Sequence, residues 1–145
     1  MNLLGARGVA VIAAALQPSS SLRTLNAECC DSGAGGAAAL ADALRRGWRA
    51  SDLRLDQDRS IGDGGVLALA AALEQLGDLC TLATLSLADC ALTAAGALAL
   101  VRAATAAHSL RYLNCIHNHP IKAPDEPALI AACGPQPHFF LCLGR

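Results

Sequence analysis

Five leucines constrain this chain more than any other feature: Leu25, Leu53, Leu85, Leu113 and Leu141 follow one another at steps of 28, 32, 28 and 28 residues. They lie in the segments Leu22-Arg-Thr-Leu25-Asn-Ala27, Leu53-Arg-Leu55, Leu82-Ala-Thr-Leu85-Ser-Leu87, Leu110-Arg-Tyr-Leu113-Asn-Cys115 and Phe139-Phe-Leu141-Cys-Leu143. Apolar residues at every second position mark a strand with one buried face. Between these segments runs a pattern at helical spacing: Gly8–Ile12–Leu16, Gly36–Leu40–Leu44, Gly65–Leu69–Leu73, Gly96–Leu100–Ala104 and, degraded, Asp125–Leu129–Cys133. Residues four apart share a helix face, so each unit predicts a helix with one apolar stripe packed on the strand layer. The glycine precedes the next strand leucine by 17 residues in three units and by 20 between Gly65 and Leu85. The excess falls in Glu74–Thr81, where Leu76 and Leu79 extend the helix or its exit loop. Two interlocked patterns kept in register along the whole chain predict a repeating α/β fold.

Composition fits that reading and removes others. A chain of 145 residues is one domain's worth, and 54% hydrophobic against 16% charged residues is too apolar for a disordered segment. Aromatics make up only 3%, so small aliphatic side chains fill the interior. With a net charge of −1, Lys122 as the single lysine and scattered arginines, there is no basic face for nucleic acid. The longest uncharged stretch near the middle, Cys90–Val101, is far too short for a membrane span, which takes ~20 residues. Arg7, Val9–Leu16 and Pro18–Ser21 have the outline of a signal peptide. The repeat register accounts for the same residues better. The seven cysteines, an odd count with no C-x-x-C pair, argue against a disulfide framework and a zinc ribbon. A reducing, cytoplasmic setting is expected.

The order L-x-x-L-x-L, a cysteine or polar position, L/I-G-D-x-G and then A-x-x-L-A-x-A-L resembles the ribonuclease-inhibitor-like class of leucine-rich repeats. That class includes ribonuclease inhibitor, the Ran GTPase-activating protein and the C-terminal arrays of NOD-like receptors. The matching runs are Ile61-Gly-Asp-Gly-Gly65, Leu92-Thr-Ala-Ala-Gly96 and Gly36-Ala-Ala-Ala-Leu40-Ala-Asp-Ala-Leu44. The resemblance implies an α/β solenoid, a partial horseshoe with parallel strands on its concave side and helices on its convex side. It also implies that Cys30, Asp58, Cys90 and Asn118 turn inward to satisfy backbone groups of neighbouring units. The units at Asp58 and Asn118 carry one extra residue before Ile61 and Ile121. Pro120, Pro124 and Pro127 predict an irregular segment before Ala128, since proline has no N–H to donate.

Residues Asn2-Leu3-Leu4-Gly5-Ala6-Arg7-Gly8 align with the second half of a repeat, and the sequence stops just after the strand at Leu143. The expectation is one leucine-rich-repeat domain over residues 1–145, cut in mid-repeat at both ends. Because a repeat buries its face only on a neighbour, the uncapped ends are expected to self-associate.

No catalytic, cofactor or metal site emerges. The runs Gly33-Ala-Gly35-Gly36 and Gly62-Asp-Gly64-Gly65 match neither phosphate-binding pattern and read as turns into the helices. Cys115-Ile-His117-Asn-His119 alternates metal-binding residue types, but four close ligands are needed and the fourth is not evident. A Cys–His nucleophile would need an orienting group and an oxyanion site that the spacing does not assemble. Asp52, Asp56, Asp58 and Asp63 are interleaved with Arg54 and Arg59, a solvated mixed-charge face.

Residues flanking the buried leucines are predicted to line the open strand face in five rows: Thr24/Asn26/Glu28, Asp52/Arg54/Asp56, Thr84/Ser86/Ala88, Tyr112/Asn114/Ile116 and Phe140/Cys142/Gly144. Aromatic and arginine side chains are the usual anchors of protein interfaces. Glu28, Asp52, Arg54, Asp56, Tyr112 and Phe140 are therefore the candidate partner-binding residues, and the expected function is a protein-interaction scaffold without catalysis. The alternative is a regulator of a small GTPase, which the likeness to the Ran GTPase-activating protein implies. None of the loop residues of that activity maps onto this chain.

Overall fold

The computed structural model describes residues 4–135 and 137–143. Five three-residue strands, β1 (Thr24–Asn26), β2 (Asp52–Arg54), β3 (Thr84–Ser86), β4 (Tyr112–Asn114) and β5 (Phe140–Cys142), form one parallel sheet in sequence order. Their register pairs Leu25 with Leu53, Leu53 with Leu85, Leu85 with Leu113 and Leu113 with Leu141. The leucine series thus occupies successive neighbouring strands, as its spacing predicts. Backbone bonds carry each ladder past the strand end: Ala27 N to Arg54 O, Leu55 N to Ser86 O, Leu87 N to Asn114 O and Cys115 N to Cys142 O.

Helix α1 (Gly5–Ala15) precedes β1, helices α2 (Gly33–Arg45), α3 (Gly62–Leu76), α4 (Ala94–Ala106) and α5 (Glu126–Ala132) link successive strands, and each helix packs on the next. Leu40, Leu69 and Leu100 of the helical stripes and Leu53, Leu85 and Leu113 of the strands are buried together in one core. Leu25 and Leu141 are only half-buried, because each sits on an outer strand of this sheet. Trp48, buried after α2, donates its indole N–H to Leu22 O at 2.9 Å and so ties the preceding unit down. α1 packs on α2 through buried Val9 and Ala13, and Arg46 Nη2 caps Ala13 O at 2.9 Å. Asn2 and Leu3, part of the N-terminal motif, lie outside the described residues.

α1, α2 and α3 begin about one turn before Gly8, Gly36 and Gly65 of the helical pattern, and this separates two glycine roles. Gly33 (φ +59°) and Gly62 (φ +50°) make the turns, in a backbone region that costs other residues ~1–2 kcal/mol. Gly36 and Gly65 lie inside the first helical turn, where neighbouring helices approach closely. A Cβ on Gly65 would stand 2.7 Å from Ile61 Cγ2 and 3.0 Å from Ala37 Cβ.

Two units depart from the pattern for physical reasons. α3 runs on to Leu76 and into a 3-10 turn at Gly77–Leu79, absorbing the excess of the 32-residue step and leaving Leu79 exposed. The proline unit has a 3-10 turn at Ala123–Asp125 and the shortened α5, which starts at Glu126, two residues ahead of the regular part expected from Ala128. Lys122 N–H, which corresponds to Gly62 N–H, bonds to Asp125 Oδ2 of its own unit at 2.9 Å. Gly62 instead donates to Cys90 O of the following unit at 3.1 Å. No helix among the described residues is long and apolar enough to cross a membrane.

Candidate binding face

The residue five beyond each strand leucine fixes the turn that leaves the sheet. Asn118 is buried, and its Oδ1 accepts from Cys90 N at 2.9 Å and Leu92 N at 3.0 Å. Its Nδ2 donates to Leu87 O and Cys115 O, both at 2.9 Å, so one carboxamide closes four backbone groups. Asp58 holds the corresponding place without an amide to donate. Its Oδ2 accepts from Ser32 N, Ser32 Oγ and Gly33 N, and its Oδ1 from Ser60 Oγ at 2.6 Å. Burial pushes the Asp58 carboxyl up, but the hydrogen bonds from Ser32, Ser60 and Gly33 together outweigh it and hold it below the usual carboxylate range. Cys90 donates its thiol to Leu55 O at 3.1 Å.

One residue earlier, Cys29, Gln57, Asp89 and His117 all take left-handed backbone conformations, with φ between 52° and 60°. Such residues are held only where surrounding bonds over-determine them. Here Cys29 N, Gln57 N and Asp89 N donate to Asp56 O, Ala88 O and Ile116 O of the next unit. The rim beyond the strands is therefore fixed, and so are the side chains it presents.

The candidate residues fall into two groups on the open sheet face. Arg54 pairs with Asp52 through two bonds of 3.1 Å, so these two largely neutralise each other. Glu28 Oε1 accepts from Asn26 Nδ2 at 3.1 Å. Asp56 accepts from Ser86 Oγ at 2.7 and 2.8 Å and from Ala88 N at 2.6 Å, and Asn114 Nδ2 in turn donates to Ser86 Oγ at 2.9 Å. On the far side, the Tyr112 and Phe140 rings stack with centroids 6.1 Å apart and planes 13° apart. The Cys142 thiol donates to the Tyr112 hydroxyl at 3.3 Å.

The middle row is less open than the alternation predicts. Ser86 and Ala88 are buried, because Asp56 from the neighbouring unit folds over both. Gly144, the last member of the fifth row, lies outside the described residues. What the alternation misses is the hollow of about 400 Å³ at the rim, bounded by Glu28, Asp56, Asp89, Asn114, Ile116 and His117. Only the strand register could have brought these residues together, since they come from four units.

Cys115 is buried, whereas His117 and His119 project from the loop. Among the described residues no three His, Cys, Asp or Glu side chains come close enough to hold a metal ion. All seven cysteines are free thiols. His108 and His138 stack at 5.2 Å near the opposite ends of β4 and β5, with His108 Nδ1 2.6 Å from Asp78 Oδ1.

The chain matches no protein-family model and no curated protein.

Proposed function

We propose that this protein is a leucine-rich-repeat solenoid of the ribonuclease-inhibitor-like kind, and that it binds another protein on its concave strand face. The observation that carries this reading is the Tyr112–Phe140 stack, with Tyr112 37% and Phe140 65% exposed on the same sheet face as Glu28 and Asp56. An aromatic pair left in solvent beside ordered charged groups is the composition of an interface centre with a polar rim. Free thiols throughout support a reducing, cytoplasmic setting for that partner.

The test is affinity capture with three forms of the full chain: wild type, the double variant Tyr112→Ser/Phe140→Ser, and Leu67→Ser on an exposed helical position. A partner held by wild type and Leu67→Ser but lost from the double variant is the expected result. A partner lost only from Leu67→Ser would move the binding surface to the helices and overturn the proposal.

A further inference from the structure

We infer that the partner presents an extended segment with two anchors: a basic side chain that enters the hollow between Glu28 and Asp56, and an apolar one that packs on the Tyr112–Phe140 stack. This rests on the reading of the strand face as a protein-binding surface.

Four carboxylates near this hollow are held in two different ways. Asp52 and Asp89 each have an arginine, Arg54 at 3.1 Å and Arg59 at 2.8 Å. Glu28 and Asp56 are instead oriented by neutral donors: the Asn26 amide, the Ser86 hydroxyl and the Ala88 N–H. Among the described residues no cation comes within ion-pairing distance of either one, and Arg54, which lies close enough to feel both charges, has its guanidinium bonded to Asp52. Neutral donors fix a carboxylate's position without cancelling its charge. Glu28 and Asp56 both line the same hollow, so two fixed negative charges face one space. Covering half-buried carboxylates with an apolar or acidic surface would desolvate them without compensation, whereas a cation gains from them. Guanidinium suits the pair best, because its planar fork of donors reaches two carboxylates at once.

Geometry supplies the second anchor and the form of the segment. From β2 to β4 is two strand spacings, roughly 10 Å, and from the level of Tyr112 to that of Asp56 is four residues, roughly 13 Å. The diagonal of about 16 Å is spanned by some five residues of extended chain. Between the anchors lie Thr84, Ser86 and Ala88, the smallest row of the face, with Ser86 and Ala88 already covered. A backbone can cross there without displacing a large side chain.

A random dodecapeptide library displayed on phage and panned against the full chain tests this directly, with selected peptides resynthesised and titrated by fluorescence anisotropy. The selected peptides are expected to share Arg or Lys and a large apolar residue four to six positions apart. Glu28→Gln and Asp56→Asn, which remove the charge but keep one acceptor oxygen each, should each weaken binding roughly tenfold. Raising salt to about 0.5 M should weaken binding to wild type more than to either variant. Thermal melts establish that the variants fold. Peptides lacking a basic residue, indifferent to both substitutions but lost with Phe140→Ser, would overturn the basic anchor and leave the face. No enrichment, or peptides indifferent to all three substitutions, would overturn the face as well.

Discussion

The Ser32 hydroxyl donates to Asp58 Oδ2 at 2.6 Å, joining two buried side chains that lie 26 residues apart in the chain. The corresponding pair two units on is Leu92 and Asn118, where Leu92 contributes only its backbone N–H to the Asn118 oxygen. A carboxylate in place of a carboxamide needs more donors to stay ionised when buried, and serine in place of leucine supplies one. The two substitutions belong together, although neither explains itself in its own segment.

Ser32→Ala should therefore cost about 1 kcal/mol near neutral pH, the ordinary worth of one buried hydrogen bond. The cost should also depend on pH. Asp58 titrates below its unfolded value, so its stabilisation is complete above about pH 4, where the unfolded carboxyl is ionised, and is lost as pH falls through the folded value. Removing the Ser32 donor raises that folded value. The gap between wild type and Ser32→Ala should narrow from pH 6 toward pH 3, as followed by urea titration. A gap independent of pH would mean that Asp58 is not held ionised by Ser32.

Leu85 is fully buried on the central strand, with paired strands on both sides, whereas Leu141 on β5 is half-buried. Leu85→Ala should cost about 2–5 kcal/mol, in the range of large-to-small core changes. Leu141→Ala should cost less than half as much, since less surface is lost and the edge can relax. Denaturant midpoints for the two variants check this, and equal losses would contradict the burial difference.

The strand positions were legible because alternation is a local property: Leu25, Leu53, Leu85, Leu113 and Leu141 stand in register as their spacing predicts. Asp58 and Asn118 were expected to turn inward, and both are buried with bonds to backbone N–H groups of the preceding segment. The occlusion of Ser86 and Ala88 was not, because it comes from Asp56 in another unit and depends on a side-chain rotamer. The candidates Glu28, Asp52, Arg54, Asp56, Tyr112 and Phe140 share one face as expected, yet they are not equivalent. Arg54 is bonded to Asp52, which alternation cannot reveal, while Glu28 and Asp56 are held by neutral donors.

Thiol reactivity should divide the cysteines by depth. Burial pushes the Cys90 and Cys115 thiols up to about 12, whereas Cys29 and Cys142 are only half-buried. At pH 8 a thiol at that value is ionised in only about one molecule in ten thousand, and the thiolate is the reacting form. Iodoacetamide labelling with peptide mapping should modify Cys29 and Cys142 in the native protein and reach Cys90 and Cys115 only in denaturant. Labelling of Cys115 as fast as Cys142 would show that the sheet opens there.

Two adjoining glycines of α3, Gly64 and Gly65, meet different surroundings. Gly64 is exposed, and a Cβ there would make an ordinary contact of 3.7 Å with Ala34 Cβ. Gly64→Ala should thus be neutral or stabilising by up to about 1 kcal/mol, because alanine loses less backbone freedom in a helix. Gly65 is buried, and its Cβ would meet Ile61 Cγ2 at 2.7 Å, Ala37 Cβ at 3.0 Å and Ala34 Cα at 3.1 Å. The Ala34 atom is backbone, so α2 itself would have to move away from α3. Gly65→Ala should cost roughly 1–3 kcal/mol, the usual penalty for overpacking, despite the same gain in helix propensity. Thermal melts of the two single variants decide the matter. If Gly65→Ala melts no lower than wild type, the close approach of α2 and α3 is not what requires glycine at this position.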